Sequence, residues 1–156
     1  IRNTSGAAML PSRVITLDAT AGYHLLQRTV GMSTVLAAPH VAVVDDALPT
    51  AGVANNDIFW AVVEGPQLVY TPLAGSQFNG VDIAVGAPLV AATGSTTGAT
   101  TSGRITNVTF TFATAGDTSN GFDGFRMARN LLGAALSART TAETNALCLV
   151  NCQCRY

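Results

Sequence analysis

The sequence predicts an all-β domain, a small barrel or sandwich of many short strands with at most one short helix. Three observations carry that expectation. Short apolar and β-branched runs recur along the chain, as in Val41-Ala42-Val43-Val44 and Ile58-Phe59-Trp60-Ala61-Val62-Val63. Val108-Thr109-Phe110-Thr111-Phe112 alternates apolar residues with threonine, the period of two expected of a half-buried strand. Between such runs lie segments rich in Gly, Ser, Thr and Pro, above all residues 93–103, whose composition cannot build a core and suits a surface loop.

The elements follow in order. Residues 1–12 are small and polar and stop at Pro11-Ser12, which reads as an extended N-terminal arm. Residues 13–156 read as a single β-rich domain. Strands are expected at Val14-Ile15-Thr16-Leu17, at Tyr23-His24-Leu25-Leu26 and at residues 41–44, with a loop or weak strand over 31–39. Residues 47–56 hold Pro49, Gly52 and Asn55-Asn56 and form a long connection. Residues 57–64 give the clearest strand; Gly65-Pro66 turns it and residues 67–71 return, a hairpin by turn chemistry. Further strands are expected over 81–85, 89–92, 104–105 and 108–112, with a loop at 113–121.

The next stretch pulls two ways. Phe125, Ala128, Leu132 and Leu136 fall at helical spacing behind a possible N-cap at Asp123. Gly133 would cost such a helix about 1 kcal/mol relative to alanine. The reading is therefore a short helical or irregular piece at 125–130 and a strand over 131–139. Residues 147–156 form the last strand. No internal repeat is visible.

Composition bounds the function. A chain of 156 residues makes one ordinary domain. Charged residues are 11% of it, against about 25% in soluble domains, and 48% are hydrophobic. So few charges give a poor solvated surface for a monomer. Yet no run approaches the roughly 18 apolar residues of a membrane span, so no membrane partner is expected. Surface that is neither charged nor in lipid is expected to be covered by other protein chains, as in an assembly subunit. The net charge of −1 gives no basic face for nucleic acid. All 8 basic residues are arginine. Arginine's planar fork suits interfaces, and base composition of the genome is the alternative explanation. No charged segment followed by an apolar core opens the chain, so no secretory leader is expected.

The chemically notable residues form no catalytic or metal constellation in the sequence. Cys148, Cys152 and Cys154 are three thiols, whereas a structural zinc wants four converging Cys or His ligands. On a strand all three sulfurs share one face, with Cys148 and Cys154 about 20 Å apart. They read as small buried hydrophobes; interchain disulfides between copies, or a metal, are the alternatives. His24 sits in an apolar stretch, and no Ser/His/acid set surrounds it or His40. Asp45, Asp46 and Asp57 border loops as solvated turn carboxylates. Gly94-Ser95-Thr96-Thr97-Gly98 lacks the lysine and following helix of a phosphate loop. Trp60, Tyr70 and Phe59 are candidate core or interface anchors. No enzyme, cofactor or metal is expected.

The stretch Asp57-Ile58-Phe59-Trp60-Ala61-Val62-Val63-Glu64-Gly65-Pro66 resembles a segment of small β-rich proteins encoded near tailed-phage major capsid genes. The likeness continues through Val85-Gly86-Ala87-Pro88-Leu89-Val90 and the tract Ala99-Thr100-Thr101-Ser102-Gly103-Arg104. It runs on through Leu132-Gly133-Ala134-Ala135-Leu136-Ser137-Ala138 to the aromatic end at Tyr156, covering about residues 57–156. On this pattern the chain resembles the capsid decoration, or cement, proteins of tailed bacteriophages, similar in role to the lambda-type head decoration protein. The resemblance implies a homotrimer on the outer capsid surface, made in the host cytoplasm, with a β-tulip or barrel body and an extended N-terminal arm. Its partners would be itself and the phage major capsid protein. Ile1, Arg2, Asn3 and Arg13 are then the expected shell contacts. The three C-terminal cysteines depart from the pattern. Another virion part, such as a fibre, tail or minor capsid domain, is the first alternative. A β-barrel module for a small ligand or glycan, with Trp60 and Tyr70 as its platform, is the second.

Overall fold

The computed structural model describes residues 1–17, 28–32, 41–71, 82–91, 103–107, 131–140 and 146–154. Among these residues the chain is all-β. The strands are β1 (Arg2–Asn3), β2 (Val14–Leu17), β3 (Arg28–Met32), β4 (Val41–Val44) and β5 (Ala61–Val62), then β6 (Glu64–Tyr70), β7 (Pro88–Ala91), β8 (Ile105–Asn107), β9 (Gly133–Ala135) and β10 (Leu147–Gln153). They form two five-stranded sheets, ordered β1-β3-β2-β4-β5 and β6-β10-β9-β7-β8. Among the described strands only β1 and β3 pair in parallel; the other pairings are antiparallel. The sequence expectations at 23–26, 108–112, 113–121 and 125–130, and both histidines, lie outside the described residues.

The continuous apolar run of β4 has a direct cause: both faces of the first sheet are covered. Val14, Val41 and Val43 pack into a core with Val69, Leu89, Ile105, Val150 and Cys152 of the second sheet. Ile15, Leu17, Ala42 and Val44 point the other way, against Met9, Val53 and Phe59. A strand buried on both faces has no need for polar residues at alternate positions. The second sheet keeps a period of two: along β10, Cys148, Val150 and Cys152 are buried while Leu147, Leu149 and Asn151 are half-buried. That is the single sulfur-bearing face expected of a C-terminal strand.

Two expectations are corrected. Residues 1–12 do not stand off as an arm. Met9 exchanges backbone hydrogen bonds with Val53 at 2.9 Å in each direction, and its side chain is buried. The buried Asn3 Nδ2 donates to the carbonyls of Ala7, Val53 and Ala54 at 2.7, 2.9 and 3.2 Å. The segment forms the second cover of the first sheet together with the 45–60 connection. Gly52 makes that closure feasible: its φ is +82°, and a Cβ there would lie 2.7 Å from the Met9 carbonyl oxygen.

The hairpin about Gly65-Pro66 is the other correction. Val62 pairs with Val43 in the first sheet, while Glu64 pairs with Gln153 in the second. The chain changes sheets at Val63, and Gly65-Pro66 lies inside β6. Seven residue pairs with β10 outweigh the local turn preference. Proline is tolerated because β6 is an edge strand. Alternation puts Pro66 on the same outer side as Tyr70, whose N–H turns away from β10 to the Ser12 carbonyl at 3.1 Å.

Two short segments hold the edges. Residues 57–62 meet both edges of the first sheet, since Ile58 bridges Arg2 and Val62 pairs with Val43. Residues 12–14 reach both sides of the second. Ser12 receives the Tyr70 N–H, and the Val14 N–H donates to Gly103, just before β8, at 2.7 Å.

Candidate functional site: an outward face beside a buried clasp

The first of these segments carries an exposed face. Exposure alternates along it: Ile58 is 61% exposed, Phe59 is 4% and Trp60 is 81%. Phe59 enters the core and fixes the phase, so its neighbours must face out. Two backbone bonds pin the register, Asn3 N–H to Asp57 and Phe59 N–H to Ile1, each at 2.9 Å. The antiparallel bridge sets Arg2 directly opposite Ile58, and bridged residues project to the same side. The exposed Arg2 guanidinium therefore belongs to the same outer face as Ile58 and Trp60. Burying a large apolar side chain contributes about 2–3 kcal/mol, so the isolated fold forgoes much of that at Trp60.

The flanks are acidic. The Asp45 N–H donates to the Trp60 carbonyl at 3.5 Å, and its carboxylate accepts the Ala47 N–H at 2.9 Å. Asp46 and Asp57 are exposed. The connection between them is exposed for most of its length and otherwise uncharged.

The second segment carries a buried clasp. Arg13 is buried and lies over the Tyr70 ring, with its guanidinium carbon 4.5 Å from the centroid. The Arg104 guanidinium carbon is 5.3 Å from the same ring, and its Nη1 donates to the Thr71 carbonyl at 2.5 Å. Cations over an aromatic face are favourable, by up to about 2 kcal/mol when desolvated. Burial, and then the charge of Arg13, pull Arg104 down to about 10. Burial likewise lowers Arg13. Arg104 remains protonated at neutral pH. These side chains join residues 12–14, 70–71 and 103–104 where the two sheets meet.

The thiols occupy a third environment. The Cys148 thiol donates to the Ser137 carbonyl at 3.3 Å, and burial pushes it up. Cys152 is pushed up chiefly because it donates to Cys154; Cys154 is drawn down by accepting that bond. All three are free and buried. Among the described residues no three His, Cys, Asp or Glu side chains gather where they could hold a metal.

The sequence-predicted site residues thus separate. Arg2 and Trp60, assigned to two different roles, come together on one outward face, whereas Ile1 is half-buried and packs against the cluster of Met9 and Phe59. Asn3 and Phe59 are core residues. Arg13 and Tyr70 form the clasp, so Tyr70 shares no platform with Trp60. Ile58 and Arg104 were missed. Period-two counting from Trp60 reaches Ile58, whereas nothing local ties Arg104 to Tyr70. Compared with known proteins, the chain matches no family model, no curated protein and no solved structure.

Proposed function

We propose that the chain is a structural virion subunit, a capsid decoration protein that adds to the outer surface of a phage head as a homotrimer and stabilises the shell. The observation that carries the reading is the outward face of Arg2, Ile58 and Trp60 on a chain with only 11% charged residues. Trp and Arg are enriched among the side chains that dominate protein interfaces. The pattern of strands and turns over residues 57–156 supports the choice of partner. Each subunit makes a modest contact, and many copies on one lattice add through multivalency. The mechanism is adhesion, with the two-sheet body carrying the face. Cryo-electron microscopy of particles containing the protein tests this. Density for trimers on the outer shell is the expected result. Location in a tail or fibre would replace it with another virion role.

A further inference from the structure

We infer that the face formed by Arg2, Ile58 and Trp60 docks against a second copy of this chain. The inference rests on the assembly reading above and names the surface that would carry its self-contact.

The geometry narrows the mode of contact. Residues 57–62 engage both edges of the first sheet. Strand addition there would displace existing pairs, so the open route is through the outward side chains. Charge narrows the occupant. Arg2 stands opposite Ile58 and is the register partner of Arg28 in β3, while Asp45, Asp46 and Asp57 lie within the flanking segments. The chain's net charge of −1 supplies no strongly basic face for phosphate, which disfavours nucleic acid and anionic lipid. A patch carrying both signs beside an apolar centre can meet its own copies head to tail around a three-fold axis: the arginine side of one copy meets the carboxylates of the next.

Area sets the extent. Trp60 and Ile58 together expose on the order of 300 Å², well under the roughly 800 Å² that each partner brings to a stable interface. The contact would therefore have to extend beyond them, and the exposed, mostly uncharged connection over residues 46–57, which leads into the segment, is the surface we assign to it. Those residues carry just two charges, Asp46 and Asp57.

Trp60 is the chain's single tryptophan, which gives a direct readout. The full chain is diluted from tens of micromolar to well below, and sedimentation velocity and tryptophan emission are recorded on the same samples. As mass rises, emission should shift to the blue and acrylamide quenching should fall. Trp60→Ala and Arg2→Glu should each weaken association by about tenfold or more while leaving the melting temperature near that of the parent. Adding Asp46→Arg and Asp57→Arg to Arg2→Glu should recover most of the loss.

Association with unchanged tryptophan emission would overturn the inference and leave the assembly reading intact, because copies would then meet elsewhere. A chain that stays monomeric at every concentration would also overturn it. If that monomer still decorates shells, the adhesive role survives without the trimer; if it never does, the proposed function falls too.

Discussion

Trp60 and Tyr70 stand ten positions apart, each in a β-rich run, and turn chemistry at Gly65-Pro66 pairs them in one hairpin. In the structure Trp60 lies just before β5 of the first sheet and Tyr70 ends β6 of the second, and they have opposite fates. The Trp60 ring faces solvent, whereas the Tyr70 ring is covered by two arginines. The difference lies in what arrives from elsewhere in the chain. At Trp60 the core position is already taken by Phe59, and β1 brings only Arg2, on the outer side. At Tyr70, Arg13 and Arg104 come from segments far away in sequence and close over the ring. An aromatic residue is thus assigned to core or surface by its distant partners rather than by its own run.

The strongest way to break this comparison is to remove the segment that supports Trp60. Deleting residues 1–11 takes away β1, the Asn3 network and Met9. Truncating a buried methionine alone costs about 2–5 kcal/mol, and the lost pairing with residues 57–59 adds to it. The sum approaches the whole stability of a domain, about 5–15 kcal/mol. The expected outcome is a chain that fails to fold cooperatively in denaturant titration. A deletion variant with a sharp transition and a midpoint near that of the parent would show that the N-terminal residues are a detachable arm after all.

The clasp comes next. Tyr70→Ala should destabilise by about 3 kcal/mol, near the low end for a large aromatic because Tyr70 is half-buried. It also leaves two buried guanidinium groups without their ring. Tyr70→Phe keeps the ring and should fall within about 1 kcal/mol of the parent, since the stacking needs the π face and not the hydroxyl. Equal losses for both variants would mean that the hydroxyl, rather than the ring, holds the junction.

These cases show how much was legible. The all-β class, β2, β4, β10 and the shared face of the cysteines follow from local runs and period-two counting, because those signals are set within a few residues. The strand reading at 131–139 also holds at its centre, where Gly133 sits in β9. Its φ is +155°, and a Cβ there would lie 2.0 Å from the Asn151 carbonyl oxygen. The glycine that weakens a helix is thus the residue that lets β9 approach β10. What was not legible is long-range. The sheet change at Val63 depends on β10, some 80 residues on. Met9 is buried by Val53, and a short polar segment with one methionine carries no periodic signal.

The cysteines test the interior of the second sheet at a smaller scale. Replacing Cys148, Cys152 and Cys154 together with alanine should cost about 1–3 kcal/mol, the size of modest cavities. Folding should stay cooperative, and a non-reducing denaturing gel should show a monomer band for the parent protein. A larger loss accompanied by stoichiometric zinc in elemental analysis of the parent would mark a structural metal instead. A ladder that collapses with reductant would mark interchain disulfides.

The smallest expected effect on stability is at Trp60, and it sharpens the comparison most. Its side chain is 81% exposed, so Trp60→Ala removes few intrachain contacts and should shift stability by no more than about 0.5 kcal/mol. The matched substitution at Tyr70 is expected to cost several times more. A tryptophan exposed to water without adding to stability is apolar area open to the proposed assembly contact. The two variants together therefore separate roles by measurement: one loses stability and the other keeps it. If Trp60→Ala instead cost as much as Tyr70→Ala in denaturant titration, the tryptophan would be a core residue. The outward face, and the assembly contact built on it, would then have no basis.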